Sequence, residues 1–340
     1  MGLTAAALAA LLSYALCLAA VRARFGLDQI TERSSHTVPT PRTGGLMVLT
    51  SLLLASVLLL FSGLMEREVV VLLGLTVGAG MLGLLDDFLP LPPLVKLAVQ
   101  AALAFLAAFL LGPVQTVPIP LLGWQTIPLS LALPLTVFWI VGMMNVVNFM
   151  DGLNGLIGGF AILALGAAMT VAGVSFWILL LAAGSVFGFL LCNAVRGRIF
   201  LGDAGSLSLG FLIATSGLLT EGGAYGFWLL PLVSLPLIMD VLVTLVRRAL
   251  RGARLTEPHR EHYYQLLKAH GWSHQAVALS LFFSGLISAC LALSLGLLGD
   301  QPPLFYWLIA LLIAGAWWAV MALMMAVKNE ATARLEGPFR

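Results

Sequence analysis

Asp86 and Asp87 stand side by side at the end of an apolar run, with Lys96 and Gln100 shortly beyond them. Adjacent carboxylates repel one another and call for a cation or a shared proton, so a divalent metal or a basic partner is expected beside them. The plainer reading is a helix stop with solvated charges. In a second stretch, Asn145 and Asn148 share a helix face at i and i+3, and Asp151 continues that face to the helix end. Gly152 then permits a sharp turn before Asn154 and Gly155. Three amides and a carboxylate can bind a sugar or orient a metal ligand; interhelical hydrogen bonds and a helix cap are the structural alternative.

A third stretch, Phe200-Leu201-Gly202-Asp203-Ala204-Gly205-Ser206, is entered through Asn193, Arg196 and Arg198. A helix N-terminus among glycines and arginines is an anion site, yet Asp203 would repel a phosphate unless a metal joined them. Mg²⁺, which binds through one or two carboxylates plus substrate phosphates, resolves that conflict; N-capping alone is the simpler account of Asp203. The fourth stretch is the basic segment from Arg247 to His274, with His259, Arg260, Glu261 and His262 at its centre. His259 and His262 lack a third ligand at zinc-site spacing. A phosphate- or nucleotide-binding cluster suits the basic surroundings better, with an ordinary charged loop as the alternative. Asp240, near the inner end of the apolar run at 226–246, is expected to support this loop.

The elements that must carry these groups are membrane helices. Of the 340 residues 61% are hydrophobic and 9% charged, and mean hydropathy is +1.05 over the whole chain. Soluble domains are nearer a quarter charged, which argues against a secreted enzyme, a nucleic-acid binder and a disordered scaffold. Eleven apolar segments are long enough to cross a bilayer, near 3–21, 46–64, 69–86, 96–111, 128–148, 155–173, 175–193, 205–220, 226–246, 277–298 and 304–327. The first has its arginines after the apolar run, unlike a cleavable signal peptide. Sixteen of the seventeen basic residues fall on one side if the N-terminus is outside and the C-terminus cytoplasmic; only Arg67 is an exception. All four chemical stretches then lie at the cytoplasmic face. Residues 112–127, outside, read as a short hairpin. Gly74/Gly78 and Gly155/Gly159 have the spacing that lets helix backbones approach. Cys17, Cys192 and Cys290 read as small side chains in apolar runs.

Five motifs, in order along nearly the whole chain, resemble those of the polyprenyl-phosphate N-acetylhexosamine-1-phosphate transferases of glycosyltransferase family 4. They are His36-x-x-Pro39-x-Pro41-Arg42-x-Gly44-Gly45, Asp86-Asp87, Asn145-x-x-Asn148-x-x-Asp151-Gly152-x-Asn154-Gly155, Asn193 ahead of Phe200-Leu201-Gly202-Asp203-x-Gly205-Ser206, and the His259/His262 loop. That family includes the enzymes initiating O-antigen, enterobacterial common antigen and teichoic acid synthesis, and the peptidoglycan translocase. The resemblance implies one all-α polytopic transferase domain over 1–340, with about eleven transmembrane helices and a cytoplasmic loop at 247–276 contributing to the active site. It implies residence in the bacterial cytoplasmic (inner) membrane, with the active site on the cytoplasmic face. The implied reaction moves N-acetylhexosamine-1-phosphate from a UDP-sugar to undecaprenyl phosphate and releases UMP, as the initiating step of a cell-envelope glycan.

By the same resemblance Asp86, Asp87, Asp151 and Asp203 are the catalytic carboxylates. Asp86 and Asp87 sit where the lipid phosphate is deprotonated or oriented, and Asp203 and Asp87 are the ligands of Mg²⁺ or Mn²⁺. His36, Arg42, Asn145, Asn148, Asn154, Asn193, His259, Arg260 and His262 bind substrate, Asn193 at the nucleotide and the His259–His262 group at the diphosphate or sugar. Membrane lipids surround the enzyme, no nucleic acid partners it, and a homodimer is left open. Pro90 stands where many relatives have an acidic or polar residue. The loop lacks consecutive histidines, and His36 replaces the lysine usual in peptidoglycan translocases. These departures favour a UDP-N-acetylhexosamine, GlcNAc by default, over a muramyl-pentapeptide donor.

Two rivals lose ground on the same residues. An intramembrane aspartyl protease would need Gly at position 200 and a Tyr-Asp partner. A transporter would place its acids near the midplane within paired repeats, whereas these hug one interface.

Overall fold

A computed structural model describes residues 2–28, 39–194, 197–220, 223–254, 257, 259–297 and 303–336. It is a helical membrane bundle, with 77% of the described residues in helix and little sheet. The helices are α1 (Gly2–Ala23), α2 (Gly44–Phe61), α3 (Arg67–Phe88), α4 (Pro93–Leu111), α5 (Leu129–Met150), α6 (Leu156–Met169), α7 (Phe176–Asn193), α8 (Gly202–Ser216), α9 (Gly223–Leu250), α10 (Tyr263–Ala269), α11 (His274–Leu297) and α12 (Pro303–Glu336). Every one of the eleven expected spans is occupied by a helix. Among the described residues, ten helical segments are long and apolar enough to cross a membrane.

The exception is α6, with 14 residues. At ~1.5 Å per residue it covers roughly 21 Å, short of a ~30 Å hydrocarbon core. Most of its side chains are buried, so it is an interior helix with little lipid-facing surface to match. The peripheral helices are the converse: Leu3, Phe61, Phe109, Phe138 and Leu311 stand exposed on α1, α2, α4, α5 and α12, as lipid-facing side chains do.

At the centre is α8, in which every residue from Ala204 to Ser216 is buried. Its mean hydropathy, 1.2, is the lowest of the spans. The hydroxyls responsible are satisfied within the helix: Ser208 Oγ donates to the Ala204 carbonyl (2.7 Å) and Thr215 Oγ1 to that of Phe211 (2.7 Å). A helix can be this polar inside a bilayer because protein, not lipid, surrounds it.

Close backbone approach occurs at other glycines than the spacing suggested. Gly74 has open space around it, Gly78 faces only the Leu103 side chain, and Gly159 meets the Phe282 ring. Tight crossings include Gly45 against Gly205, Gly83 against the Asp203 carbonyl, Gly210 against the Met143–Met144 backbone of α5, and Gly184 and Gly188 against the Ala6 and Ala10 carbonyls of α1. A Cβ at any of these would collide with the neighbouring backbone, so α2, α3 and α8 converge only because glycine is there.

The expected hairpin is present: β3 (Thr116–Ile119) pairs antiparallel with β4 (Gly123–Thr126). The indole N–H groups of Trp228 and Trp307 donate to its Thr116 and Pro118 carbonyls, each at 2.8 Å. A second pairing, unanticipated, joins β1 (Leu27–Asp28) to β2 (Thr40–Pro41). It leads the chain into Arg42, whose amide donates to the Gly26 carbonyl (2.8 Å).

Candidate active site

The segment holding Arg42 is zipped to the chain leading into α8. Phe200 N–H donates to the Pro41 carbonyl (2.8 Å), while the free amides of Gly44 and Gly45 at the start of α2 donate to the Phe200 and Leu201 carbonyls (2.8 and 2.7 Å). Gly202 then turns with φ +73°, a left-handed conformation natural to glycine, and α8 begins at the closest point of its crossing with α3.

Here five charged side chains meet. Asp87, at the end of α3, accepts the backbone N–H groups of Asp203 (3.0 Å) and Ala204 (3.1 Å), so it caps α8 from another helix. Those amides are among the unpaired donors of a helix start, where negative charge is favourable. Arg42 bridges Asp87 (Nε to Oδ1, 3.2 Å) and Asp203 (Nη2 to Oδ1, 2.7 Å). Lys96 Nζ, from the first turns of α4, bridges Asp203 Oδ2 (3.2 Å) and Asp86 Oδ2 (2.6 Å). Asp86 also accepts the Leu91 N–H (2.9 Å) across the loop joining α3 to α4. The order Asp87, Arg42, Asp203, Lys96, Asp86 thus alternates in sign, and three carboxylates against two cations leave one formal negative charge. Burial works against the charge on Arg42, but Asp203 and Asp87 outweigh it and raise its pKa.

Asp151, just past α5, lies beside this cluster. Its carboxylate has no hydrogen-bond partner among the described residues. Burial pushes its pKa up to about 7; Arg42 pulls it back, and the charges of Asp203 and Asp87 add to the rise. A carboxyl group so tuned exchanges a proton near neutrality, as a general base must.

The asparagines anticipated around it hold the frame. Asn145 Nδ2 donates to Gln100 Oε1 on α4 and to the Val141 carbonyl (both 2.8 Å). Asn148 Nδ2 donates to Ser206 Oγ on α8 (2.9 Å), so one face of α5 engages two different helices. Asn193 accepts the Gly155 N–H (2.7 Å) and donates to the Ile199 carbonyl (2.8 Å), using both ends of its amide to join two turns. Asn154 packs against Gly197 in the second of these turns. His36 and Arg196 lie outside the described residues.

On the far side of Asp151 the basic segment folds back as a loop and the short α10. Tyr264 Oη donates to the Phe149 carbonyl (3.0 Å) and fills the space where Gly152 has no side chain. Burial, with the nearby Asp240 and Asp151 charges, raises its pKa and keeps it a phenol. The His262 ring lies 5.9 Å from Phe149 and 5.0 Å from His259, centroid to centroid. His259 has a lowered pKa, from burial first and then from His262 and Arg248, so it favours the neutral form. Glu261 is clasped by Arg248 and Arg251, and Arg260 is exposed. The structure therefore gathers Arg42, Asp86, Asp87 and Asp203 into one cluster, sets Asp151 between it and the histidine loop, and leaves Asn145 and Asn193 as braces. Lys96, Gln100, Ser206 and Tyr264 stood within or beside the expected stretches but were given no role in the site; Lys96 and Gln100, one helical turn apart beside the aspartate pair, carried the clearest signal.

Among the described residues no three acidic, histidine or cysteine side chains form a ready-made metal cage. The donor set nonetheless suits a hard cation. Asp203 is approached by both Arg42 and Lys96, Asp87 and Asp86 flank it, and magnesium takes one or two carboxylates with the rest of its shell from phosphates and water.

Comparison with known proteins gives a consistent picture. The sequence profile described as glycosyl transferase family 4 matches residues 69–221, which span Asp86 to Asp203. A probable undecaprenyl-phosphate N-acetylglucosaminyl 1-phosphate transferase of Bacillus subtilis (strain 168) is 32% identical over 79% of this chain and 77% of its own length. A phospho-N-acetylmuramoyl-pentapeptide-transferase of Halalkalibacterium halodurans is 31% identical over 75% and 83%. A decaprenyl-phosphate N-acetylglucosaminephosphotransferase of Mycobacterium leprae is 31% identical over 74% and 72%. Overall identity therefore does not separate the two kinds of transferase named among these relatives.

Proposed function

The chain belongs to glycosyl transferase family 4, and from that premise we propose that it transfers N-acetylhexosamine-1-phosphate from a UDP-sugar to undecaprenyl phosphate. An oxygen of the lipid phosphate attacks the sugar-bearing phosphorus of the donor, the bond to the α-phosphate breaks, and UMP leaves. The observation that carries this reading is the alternating cluster of Asp87, Arg42, Asp203, Lys96 and Asp86 at one end of a membrane bundle. Phosphoryl transfer needs positioning and neutralisation of negative charge more than covalent help from the protein, and this cluster provides both where a lipid headgroup and a soluble nucleotide can meet.

Arg42 and Lys96 are the cations that a phosphate would recruit from their carboxylates. Asp203 and Asp87, with Asp86 beside them, would hold Mg²⁺ or Mn²⁺, which when bound neutralises the diphosphate. Asp151 takes the proton of the lipid phosphate monoester. Asp86, held by Lys96, orients that headgroup, and His259, Arg260 and His262 face the donor. The positive-inside distribution supports reading this end of the bundle as the cytoplasmic one, as a cytoplasmic UDP-sugar requires. The missing consecutive histidines favour a UDP-N-acetylhexosamine, GlcNAc first.

The test incubates purified protein with undecaprenyl phosphate, Mg²⁺ and a panel of UDP-N-acetyl sugars, and identifies the released nucleotide. UMP together with a lipid-linked sugar diphosphate is the expected result, and the fastest donor names the sugar. Release of UDP would mean simple glycosyl transfer and would overturn the mechanism.

A further inference from the structure

Asp240 is fully buried in α9, yet among the described residues its carboxylate pairs with no lysine or arginine, only with His262. Its partners all belong to the donor-side loop. Oδ1 meets His262 Nδ1 at 3.2 Å and accepts the Tyr263 N–H at 3.0 Å; Oδ2 accepts the Tyr264 N–H at 3.1 Å. One carboxylate therefore caps the start of α10 and holds a histidine side chain from the residue just before that helix. The His262 amide is held separately, by Gln265 Oε1 at 3.2 Å.

The chemistry of that contact fixes the ring. A buried carboxylate is an acceptor only, so the nitrogen facing it must carry hydrogen. In the neutral imidazole the lone pair is then on Nε2, and the ring offers an acceptor there. A hydrogen bond at one ring nitrogen sets what the other can do. The ring is also held sterically, between Phe149, His259 and Tyr264, with the Tyr264 ring 5.9 Å away and nearly parallel at 17°. Tyr264, docked on the Phe149 carbonyl, ties this arrangement to the turn that carries Asp151.

We propose that Asp240 is a positioning residue for the donor: it holds His262 with Nδ1 protonated, so that Nε2 meets the UDP-sugar as a hydrogen-bond acceptor. The groups it would recognise are a sugar hydroxyl or the acetamido N–H. The proposal rests on the transferase reading for its substrate, and on the Asp240–His262 contact for its geometry. Around the pair, the charged or titratable groups are His259, Glu261, Tyr263, Tyr264, Arg247 and Arg248, and the cations among them contact Glu261 and leave Asp240 to the histidine.

Two measurements test it. Histidine-selective ¹⁵N NMR of the purified full-length protein, with His262 assigned by the signal lost in His262→Gln, reads the tautomer without any assay of activity. The expected spectrum has His262 protonated at Nδ1 in the wild type and redistributed toward Nε2 in Asp240→Asn. A wild-type ring protonated at Nε2 alone, read against His262→Gln, overturns the proposal even if Asp240→Asn cannot be purified. In the nucleotide-release assay, Asp240→Asn is expected to lower kcat/KM for the UDP-sugar roughly 10- to 100-fold, the usual effect of removing the group that orients a functional imidazole. KM for undecaprenyl phosphate should stay within about twofold, because the lipid is held at the other cluster. Adding Asp240→Asn to His262→Gln should cost little more than either change alone. Independent, multiplying losses would make Asp240 a helix cap and nothing more. Failure of the wild type to release UMP would defeat the transferase reading but leave the NMR result standing, so the two failures are distinguishable.

Discussion

On one side of Asp151, five charged side chains from four separate segments alternate in sign; on the other, two histidines sit on a loop held from beneath by a single carboxylate. The first cluster is fixed by backbone crossings at Gly45/Gly205 and Gly83/Asp203 and by Asp87 capping α8. Its charges satisfy one another before any substrate arrives, and they are groups that a metal and two phosphates would redistribute. The second is fixed by side chains: Asp240 under α10, Tyr264 on the Phe149 carbonyl, and the arginine clasp on Glu261. The difference teaches that the cluster proposed for phosphate chemistry is built into the helix packing. The loop proposed to face the sugar is carried on a seven-residue helix and its approach, which can vary without disturbing the bundle.

The largest effect is expected where the two cations converge. Asp203→Asn removes the charge that Arg42 and Lys96 share, and should lower kcat by on the order of 100- to 1000-fold, as loss of one preorganised electrostatic contact does. If Asp203 also holds the metal, the Mg²⁺ concentration for half-maximal activity should rise. Titrating Mg²⁺ against UMP release measures both; an unchanged metal requirement would take Asp203 out of the metal's shell.

Next comes Asp151. With its pKa at about 7, its base form fills as pH rises through neutrality, so kcat/KM should climb across that range and level off above it. Asp151→Asn should abolish this limb and cost about 100-fold at pH 8. Stability should move the opposite way. A carboxyl whose pKa is raised in the folded state ionises more readily in the unfolded one, so its ionisation erodes stability between about pH 4 and pH 7. Asp151→Asn lacks that penalty: it should melt higher than the wild type at pH 8 and alike at pH 4. A rise in melting temperature at both pH values would mean that charge is not the cause.

The charged ends of both regions were legible in the sequence, because a carboxylate or arginine beside an apolar run is visible in one dimension and costly enough to need a reason. The eleven helical segments and the outer hairpin were legible for the same cause: hydropathy and turn residues act locally. What pairs with what was not. Arg42 and Asp203 are 161 positions apart and Asp87 caps an amide 116 positions away, and helix packing alone decides such meetings. Asn193 shows the same limit: its type and place were evident, but its role as a brace between two turns appears only when Gly155 and Ile199 are beside it. The glycine spacings misled because a small residue permits a close crossing without requiring one. Gly74 faces open space, while Gly83, with no paired partner at the usual spacing, sits in the tightest part of the site. Neither α10 nor the β1–β2 pairing was anticipated, being only seven and two residues long in each element.

Gly83→Val sharpens the packing half of the comparison. Its side chain would press on the Asp203 carbonyl and part α3 from α8, an overpacking expected to cost about 1–3 kcal/mol of stability. Because the displaced backbone carries both ends of the Asp87 cap, activity should fall about tenfold more than the same loss of stability does at Gly188, where Gly188→Val would part α1 from α7 away from the cluster. Equal losses in the two variants, compared at a temperature where both remain folded, would show that the crossing holds the bundle together but does not set the site.

The smallest effect is expected at the solvent side of the histidine loop. Glu261 is 30% exposed and one of its two arginines, Arg251, 54% exposed, so water and salt screen much of their attraction. Glu261→Gln keeps the side-chain volume and one acceptor for Arg248, and the loop keeps its anchor on Asp240 below. KM for the UDP-sugar should therefore change by less than about threefold, with the change shrinking as salt is raised. A tenfold or larger change, persisting at high salt, would mean that the arginine clasp holds the loop and Asp240 merely fills the space under it. The two sides of Asp151 would then differ less than their partners imply, since each would depend on a network of opposite charges.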